Sequence, residues 1–288
     1  MIKKIILLKL KIIAKLILWK HKPEIIGITG SLGKTTAKNA VYKVLEKDFD
    51  VYVSEKSMNT DFGLPLTIMR QETPLNIRNI LAWVKVLWLG AKEIYTKDYP
   101  KILILEYGLD HPGDIGYLLS IAKPDISVIT GISDVHIEEL GSVKNILEEK
   151  EKLVLNVPGV KAILNTDFVQ LKDLAKRIDN EKLTYGLNCF LSDADSCITA
   201  TNVKSTLSGL TFSINFKNKS YPLKTKLFGE HSAYSVLSAF SVGIMMNMKP
   251  KDIVSRLKDI EPTNGRMKIL DGIVGSTIID DSYNSSPK

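Results

Sequence analysis

The sequence predicts an α/β fold: a P-loop-containing, mostly parallel sheet flanked by helices, with a small antiparallel β section in the C-terminal third. Three observations predict it. Between residues 24 and 164, short apolar runs of strand length alternate with longer stretches of helical spacing, the pattern of a parallel sheet covered on both faces. A glycine-rich turn joins the first apolar run directly to the first of those helices. After about residue 197 the pattern changes to polar–apolar alternation, as in antiparallel hairpins.

The elements follow in order. Residues 1–22 form a leader, MIKKIILLKLKIIAKLILWKHK, ended by Pro23. It holds seven lysines and no acid, and its uncharged runs are short. A transmembrane helix needs about 20 nearly uncharged residues, so a spanning helix is not expected. A secretory signal keeps its charges ahead of one apolar run and ends in small residues, and neither holds here. Lys4, Lys11, Lys15 and Lys22 share one helical face. Two readings fit: a basic amphipathic helix making peripheral contact with anionic lipid, or a helix packed on the domain with its lysines in water. The domain itself is predicted to span 23–288.

Residues 24–29 read as a buried strand and 34–46 as a helix. Strand 50–54, helix 80–95, strand 102–105, helix 115–122, strand 126–130, helix 143–156 and strand 160–164 follow. Residues 199–216 alternate around Ser208-Gly209, so hairpins are expected there. Helices are expected at 231–246 and 251–260, and strands at 267–270 and 276–279, meeting at Asp271-Gly272.

Composition sets limits on function. Of 288 residues, 44% are hydrophobic and 25% charged, enough for a sizeable core. The net charge of +7 belongs to the leader: beyond residue 22, 32 basic residues balance 32 acidic ones. A nucleic-acid partner is therefore not implied. Cys189 and Cys197 lack metal-ligand partners at useful spacing and read as reduced thiols of a cytoplasmic protein. Nothing in the sequence sets an oligomeric state.

The most informative stretch is Ile28-Thr29-Gly30-Ser31-Leu32-Gly33-Lys34-Thr35-Thr36. Glycines let backbone N–H groups converge on phosphate oxygens, and a helix N-terminus adds positive potential. Lys34 can reach terminal phosphates, and the Thr35 hydroxyl can ligate Mg²⁺. The glycines stand at 30 and 33, whereas the usual six-residue spacing would put the first at Ile28. Glu106 closes the apolar run 102–105, well placed beside such a loop to hold Mg²⁺.

Thr-Gly-x-x-Gly-Lys-Thr-Ser/Thr is the version of the loop found in Mur ligases and folylpolyglutamate synthetases, and further residues resemble the Mur ligases. Asn59-Thr60-Asp61-Phe62-Gly63-Leu64-Pro65 looks like their loop after the second strand. Glu106-Tyr107-Gly108 with Gly113-Asp114-Ile115 resembles a motif of the members that add D-alanyl-D-alanine. So do Gly265-Arg266-Met267 and Asp280-Asp281-Ser282-Tyr283-Asn284. His136, ahead of Gly141-Ser142, stands where the family binds metal. Lys150, in Glu148-Glu149-Lys150-Glu151-Lys152, has by charge pattern the look of an exposed helix face. Its distance from Gly141-Ser142 matches the lysine that the family carbamylates, with Lys152 as the alternative.

The resemblance implies ATP binding through Thr29, Gly30, Ser31, Gly33, Lys34, Thr35, Thr36, His231, Arg266 and Asp281. It implies two Mg²⁺ ions, held by Thr35 and Glu106 and by His136 with carbamylated Lys150. The implied reaction joins a carboxylate to an amine through an acyl phosphate, adding D-alanyl-D-alanine to a UDP-muramoyl-peptide in peptidoglycan synthesis. Lys34, Glu106, His136 and Lys150 are its catalytic candidates. Two departures stand out: Gly131 replaces a usual asparagine, and His231-Ser232-Ala233-Tyr234-Ser235 has serines where the family's adenine-side motif has two asparagines. Serine has one hydroxyl where an amide both donates and accepts. The likeness covers about 24–288, one domain of a three-domain plan, so a fragment needing another domain for full ligation is expected. The competing readings are a folylpolyglutamate-synthetase-like ligase and a non-catalytic ATP-binding module docked at the inner face of the membrane.

Overall fold

The computed structural model describes residues 2–135, 137–188 and 196–283. They form two compact units. The first comprises Met1–Leu32, Asp48–Ala162 and Ile178–Glu181, the second Gly33–Lys47, Ile163–Arg177 and Lys182–Lys288.

The first unit is built on four parallel strands in the order β2-β3-β1-β4: β1 (Glu24–Thr29), β2 (Val51–Val53), β3 (Ile102–Glu106) and β4 (Ile126–Ile129). Their side chains are buried except along the partly open β2 and at Glu24, which explains why these strands read as continuous apolar runs. Gly27 in β1 is required by packing: a Cβ there would lie 2.9 Å from both Pro124 Cβ and Tyr107 Cε2. Tyr107 is fully buried and donates its hydroxyl to Ala122 O at 3.0 Å. Strands β1, β3 and β4 end together, with Ile28 level with Glu106 and Thr29 with Ile129.

Around this sheet stand the leader helix α1 (Ile2–His21), α3 (Gly63–Ile68), α4 (Ile80–Glu93), α5 (Asp114–Leu119), α6 (Ile137–Leu140) and α7 (Val143–Leu155). Ser142 caps α7 by accepting from Asn145 N, and Asn79 caps α4 the same way through Ala82 N. The leader packs on α3 and α4 through Leu10, Ala14 and Ile17. His21 stacks on Tyr99 with ring centres 4.5 Å apart. The packed reading of the leader therefore holds for one of its faces. No described helix is long and apolar enough to cross a membrane.

In the second unit, β6 (Lys182–Gly186) runs parallel to β7 (Cys197–Thr206). β8 (Gly209–Phe216) and β9 (Lys219–Thr225) then continue antiparallel, and β10 (Lys268–Asp271) pairs antiparallel with β11 (Thr277–Asp280). Strand β5 (Lys161–Asn165) divides its residues between the two units. Helix α9 (Ser232–Met245) packs on β6, β7 and β8 and against α2 (Lys34–Leu45) and α10 (Pro250–Leu257). It is buried on nearly all sides, as an all-round apolar helix must be. Its interior serines bond back to the helix: Ser238 Oγ to Ser235 O at 2.7 Å and Ser241 Oγ to Leu237 O at 2.8 Å. Arg256 of α10 donates to the buried carbonyl of Val44, in the last turn of α2, at 2.6 Å.

Five helices and strands escape the sequence pattern: α3, α6, α8 (Val169–Arg177), β6 and β9. β9 carries Pro222, which demotes a run read from sequence; the structure tolerates it because β9 pairs on one side only. Cys197 is disulfide-bonded, which corrects the reduced-thiol reading; spacing along the chain does not show whether two Cβ atoms face each other. Cys189 lies outside the described residues.

The leader's packing yields a prediction. Leu10 has no exposed surface, whereas Leu8 is 58% exposed. Leu10→Ala should lower the unfolding free energy by about 2–5 kcal/mol. Leu8→Ala should stay within about 0.5 kcal/mol of wild type. Urea denaturation of the two variants checks the difference.

Candidate functional site

The first unit supplies the strand and the turn. Thr29 ends β1 fully buried, and its hydroxyl donates to Tyr107 O at 2.8 Å. Gly30 turns the chain with φ 149. The turn is then held from β4: Ser31 N donates to Gly131 O at 2.9 Å, and Ser133 N to Ser31 Oγ at 3.0 Å. Thr130 Oγ1 donates to Leu32 O at 2.5 Å. A Cβ on Gly30 would sit 2.0 Å from Thr130 Oγ1, so no other residue fits without displacing the anchor.

In the second unit, α2 starts at Lys34 with Gly33 at its cap position, left-handed at φ 76. Only glycine takes that conformation cheaply, and it offers no side chain to cap the helix. The amide end of α2 is therefore presented as an anion site of the phosphate-loop kind. Thr35, in its first turn, is buried. The start of α9 lies alongside, since a Cβ on Gly33 would be 3.5 Å from Ser235 Oγ. Asn39 of α2 donates to Thr263 Oγ1 at 2.8 Å, which brings the 263–283 stretch to the same helix.

His231 occupies the cap position of α9, with Gly229 (φ 83) tucked under its ring. Burial holds its pKa below the ordinary imidazole value, against the opposing pull of Asp281. It is therefore neutral near pH 7, suited to hydrogen bonding. Ser232 is engaged with Phe228 O at 2.7 Å. The last motif is tied together by its own backbone: Gly265 N donates to Asp280 Oδ2 at 3.0 Å, Met267 N to Asp281 Oδ1 at 3.3 Å and Tyr283 N to Gly265 O at 3.1 Å. The Arg266 guanidinium stands 4.3 Å from the Tyr283 ring centre.

The metal candidates are spread differently. Glu106, at the C-terminal end of β3, is 2% exposed, and its Oε2 accepts from Ser57 Oγ at 2.9 Å. A buried carboxylate held in one orientation suits a hard divalent cation, as does the Thr35 hydroxyl. Lys150 is 2% exposed on α7, although the surrounding charges make it look solvated. Lys152 instead pairs with Glu149 Oε1 at 2.5 Å, and that oxygen also accepts from Gly113 N at 3.1 Å. A buried lysine suits carbamylation, which replaces an ammonium with a carboxylate-like group. His136 lies outside the described residues. Among the described residues, no group of three or more His, Cys, Asp or Glu is placed to hold a metal.

The Mur ligase middle domain profile matches residues 28–243, three quarters of the chain. The chain belongs to the Mur ligase middle-domain family. It is 26% identical over 277 residues to the UDP-N-acetylmuramoyl-tripeptide–D-alanyl-D-alanine ligase of Bacillus subtilis, covering 96% of this chain and 53% of that protein. The ligase of the same name from Borreliella burgdorferi is 28% identical over 280 residues, with the same two coverages. The MurF ligase of Thermotoga maritima, solved in complex with ADP, superposes with a TM-score of 0.78 at 22% identity, covering 98% of this chain and 58% of that one. The chain thus spans about half the length of the curated relatives it matches.

Two residues that no motif singled out help to shape this middle domain's site. Thr130 anchors the turn, and its only sequence signal is a hydroxyl at the end of a predicted strand. Glu149 ties the Gly113 loop to α7 and occupies Lys152; it was hidden in a run of alternating charge.

The anchor predicts a cost for a single methyl group. Gly30→Ala should destabilise by about 1–3 kcal/mol, because its Cβ displaces Thr130 Oγ1. Gly116→Ala is the control, with no atom within 4 Å of the new Cβ. Thermal unfolding should separate the two, with Gly116→Ala close to wild type.

Proposed function

We propose that this chain is the ATP-handling part of a ligase that joins a carboxylate to an amine through an acyl phosphate. The carboxylate substrate is a UDP-muramoyl-tripeptide and the amine is D-alanyl-D-alanine, placing the reaction in peptidoglycan synthesis in the cytoplasm. The observation that carries the reading is the phosphate loop: a buried strand, a turn anchored by Thr130, and a helix whose cap is glycine. The similarity of 96% of the chain to D-alanyl-D-alanine ligases supports the choice of substrates.

The roles follow from side-chain chemistry. Lys34 neutralises charge on the terminal phosphates, while the backbone from Gly30 to Thr36, with the Ser31 hydroxyl, cradles them. Neutral His231 faces the adenine side, Arg266 contacts phosphate and Asp281 lies near the nucleotide. Thr35 and Glu106 would hold one Mg²⁺, and His136 with carbamylated Lys150 a second, together offsetting phosphate charge. The substrate carboxylate oxygen bonds to the γ-phosphorus as its bond to the ADP oxygen breaks. The amine nitrogen then bonds to the acyl carbon, phosphate leaves, and the nitrogen gives up a proton. The protein's contribution is positioning and charge stabilisation.

Calorimetry with MgATP tests the reading. Wild type should bind, and Lys34→Ala should bind roughly ten- to a hundredfold more weakly, the value of one charge-assisted contact. Equal affinity in the two proteins, or no heat from a folded wild type, would remove the phosphate loop from the account.

A further inference from the structure

The leader helix has two apolar faces, and the first unit uses one of them. Leu10, Ala14 and Ile17 are buried against neighbouring helices. On the opposite side Ile5, Leu8, Ile12, Leu16 and Trp19 succeed one another at three- and four-residue steps, and all are between 44% and 75% exposed. Such spacing makes one continuous ridge along a helix. Exposed lysines border it on both flanks: Lys4, Lys15 and Lys22 on one, Lys9 and Lys20 on the other.

Helix α4 continues the ridge. It packs beside α1 and turns Leu81, Val84 and Trp88 outward, each more than half exposed, with exposed Lys85 and Lys92 among them. Ile12 and Ile13 of α1 line one groove with Val84, Leu87 and Trp88 of α4. The Lys92 ammonium lies 3.4 Å from the Trp88 ring centre, and Lys20 lies 4.9 Å from that of exposed Tyr95. Aromatic rings beside lysines at the rim of an apolar surface match the chemistry of a bilayer interface.

Charge selects the occupant. The leader carries seven lysines and no acid. Two copies meeting through this face would bring their lysine borders together, which repels. An anionic headgroup layer neutralises those borders while the acyl region takes the ridge. Spanning is excluded, since no described helix can cross a bilayer.

We propose that the outward faces of α1 and α4 form one docking surface for an anionic lipid bilayer. The helices lie along the interface, with the apolar ridge among the acyl chains and the lysines at the headgroup phosphates. This surface is independent of nucleotide binding.

The test is flotation of the full chain with phosphatidylcholine vesicles and with vesicles that also contain phosphatidylglycerol. The chain should partition onto the anionic vesicles at least roughly tenfold better, with a blue shift of tryptophan emission. Leu8→Gln/Ile12→Gln/Leu16→Gln keeps every charge and should lose roughly tenfold in partitioning. Lys4→Gln/Lys15→Gln/Lys22→Gln should lose a similar amount. MgATP affinity and circular dichroism should stay at wild-type values in both. Should the apolar triple variant fail to fold, Trp19→Gln, at a 75% exposed position, takes its place. No flotation, or flotation unchanged by glutamines on the ridge, would overturn the proposal. So would self-association in the ultracentrifuge that the same variants abolish without any vesicle binding, which would assign the face to a second copy.

Discussion

The hydroxyl of Thr130 is the constraint on which the site depends. It donates to the Leu32 carbonyl at 2.5 Å and reaches the Thr29 carbonyl at 3.3 Å, so the end of β4 fixes both sides of the turn after β1. With the chain pinned there, residue 30 has no room for a side chain, and α2 begins two residues after Leu32. A phosphate site made of backbone amides is only as good as their fixed directions, because the donors cannot rotate to find the ligand. For the turn, within the first unit, that rigidity comes from a parallel sheet in which Ile28 is level with Glu106 and Thr29 with Ile129.

Much of this was legible in the sequence, for identifiable reasons. The phosphate loop could be read because glycine, lysine and threonine there answer to backbone conformation and charge, which are local properties. The central strands could be read because burial on both faces leaves an unbroken apolar run. Lys150 could not be read from its neighbours: alternating charge around it gives the pattern of a solvated helix face, and only tertiary packing buries it. Strand β9 was hidden by Pro222, whose missing donor matters little on an edge. The disulfide at Cys197 was hidden because spacing carries no information on Cβ direction.

The leader shows how one segment left two readings open. Its lysines and apolar residues, read along the chain, left packing and lipid contact as alternatives. In three dimensions the residues divide: one stripe enters the core of the first unit, and the opposite ridge faces water beside α4. The net charge of the chain is concentrated in this leader, while the remainder is balanced.

Hydrogen–deuterium exchange with and without MgATP tests the central claim most directly, because it locates the ligand as well as detecting it. The account predicts that saturating MgATP slows exchange roughly tenfold or more in peptides covering 30–37, where the amides would hold phosphate. Unchanged exchange across those residues, at a nucleotide concentration that protects another part of the chain, would contradict it.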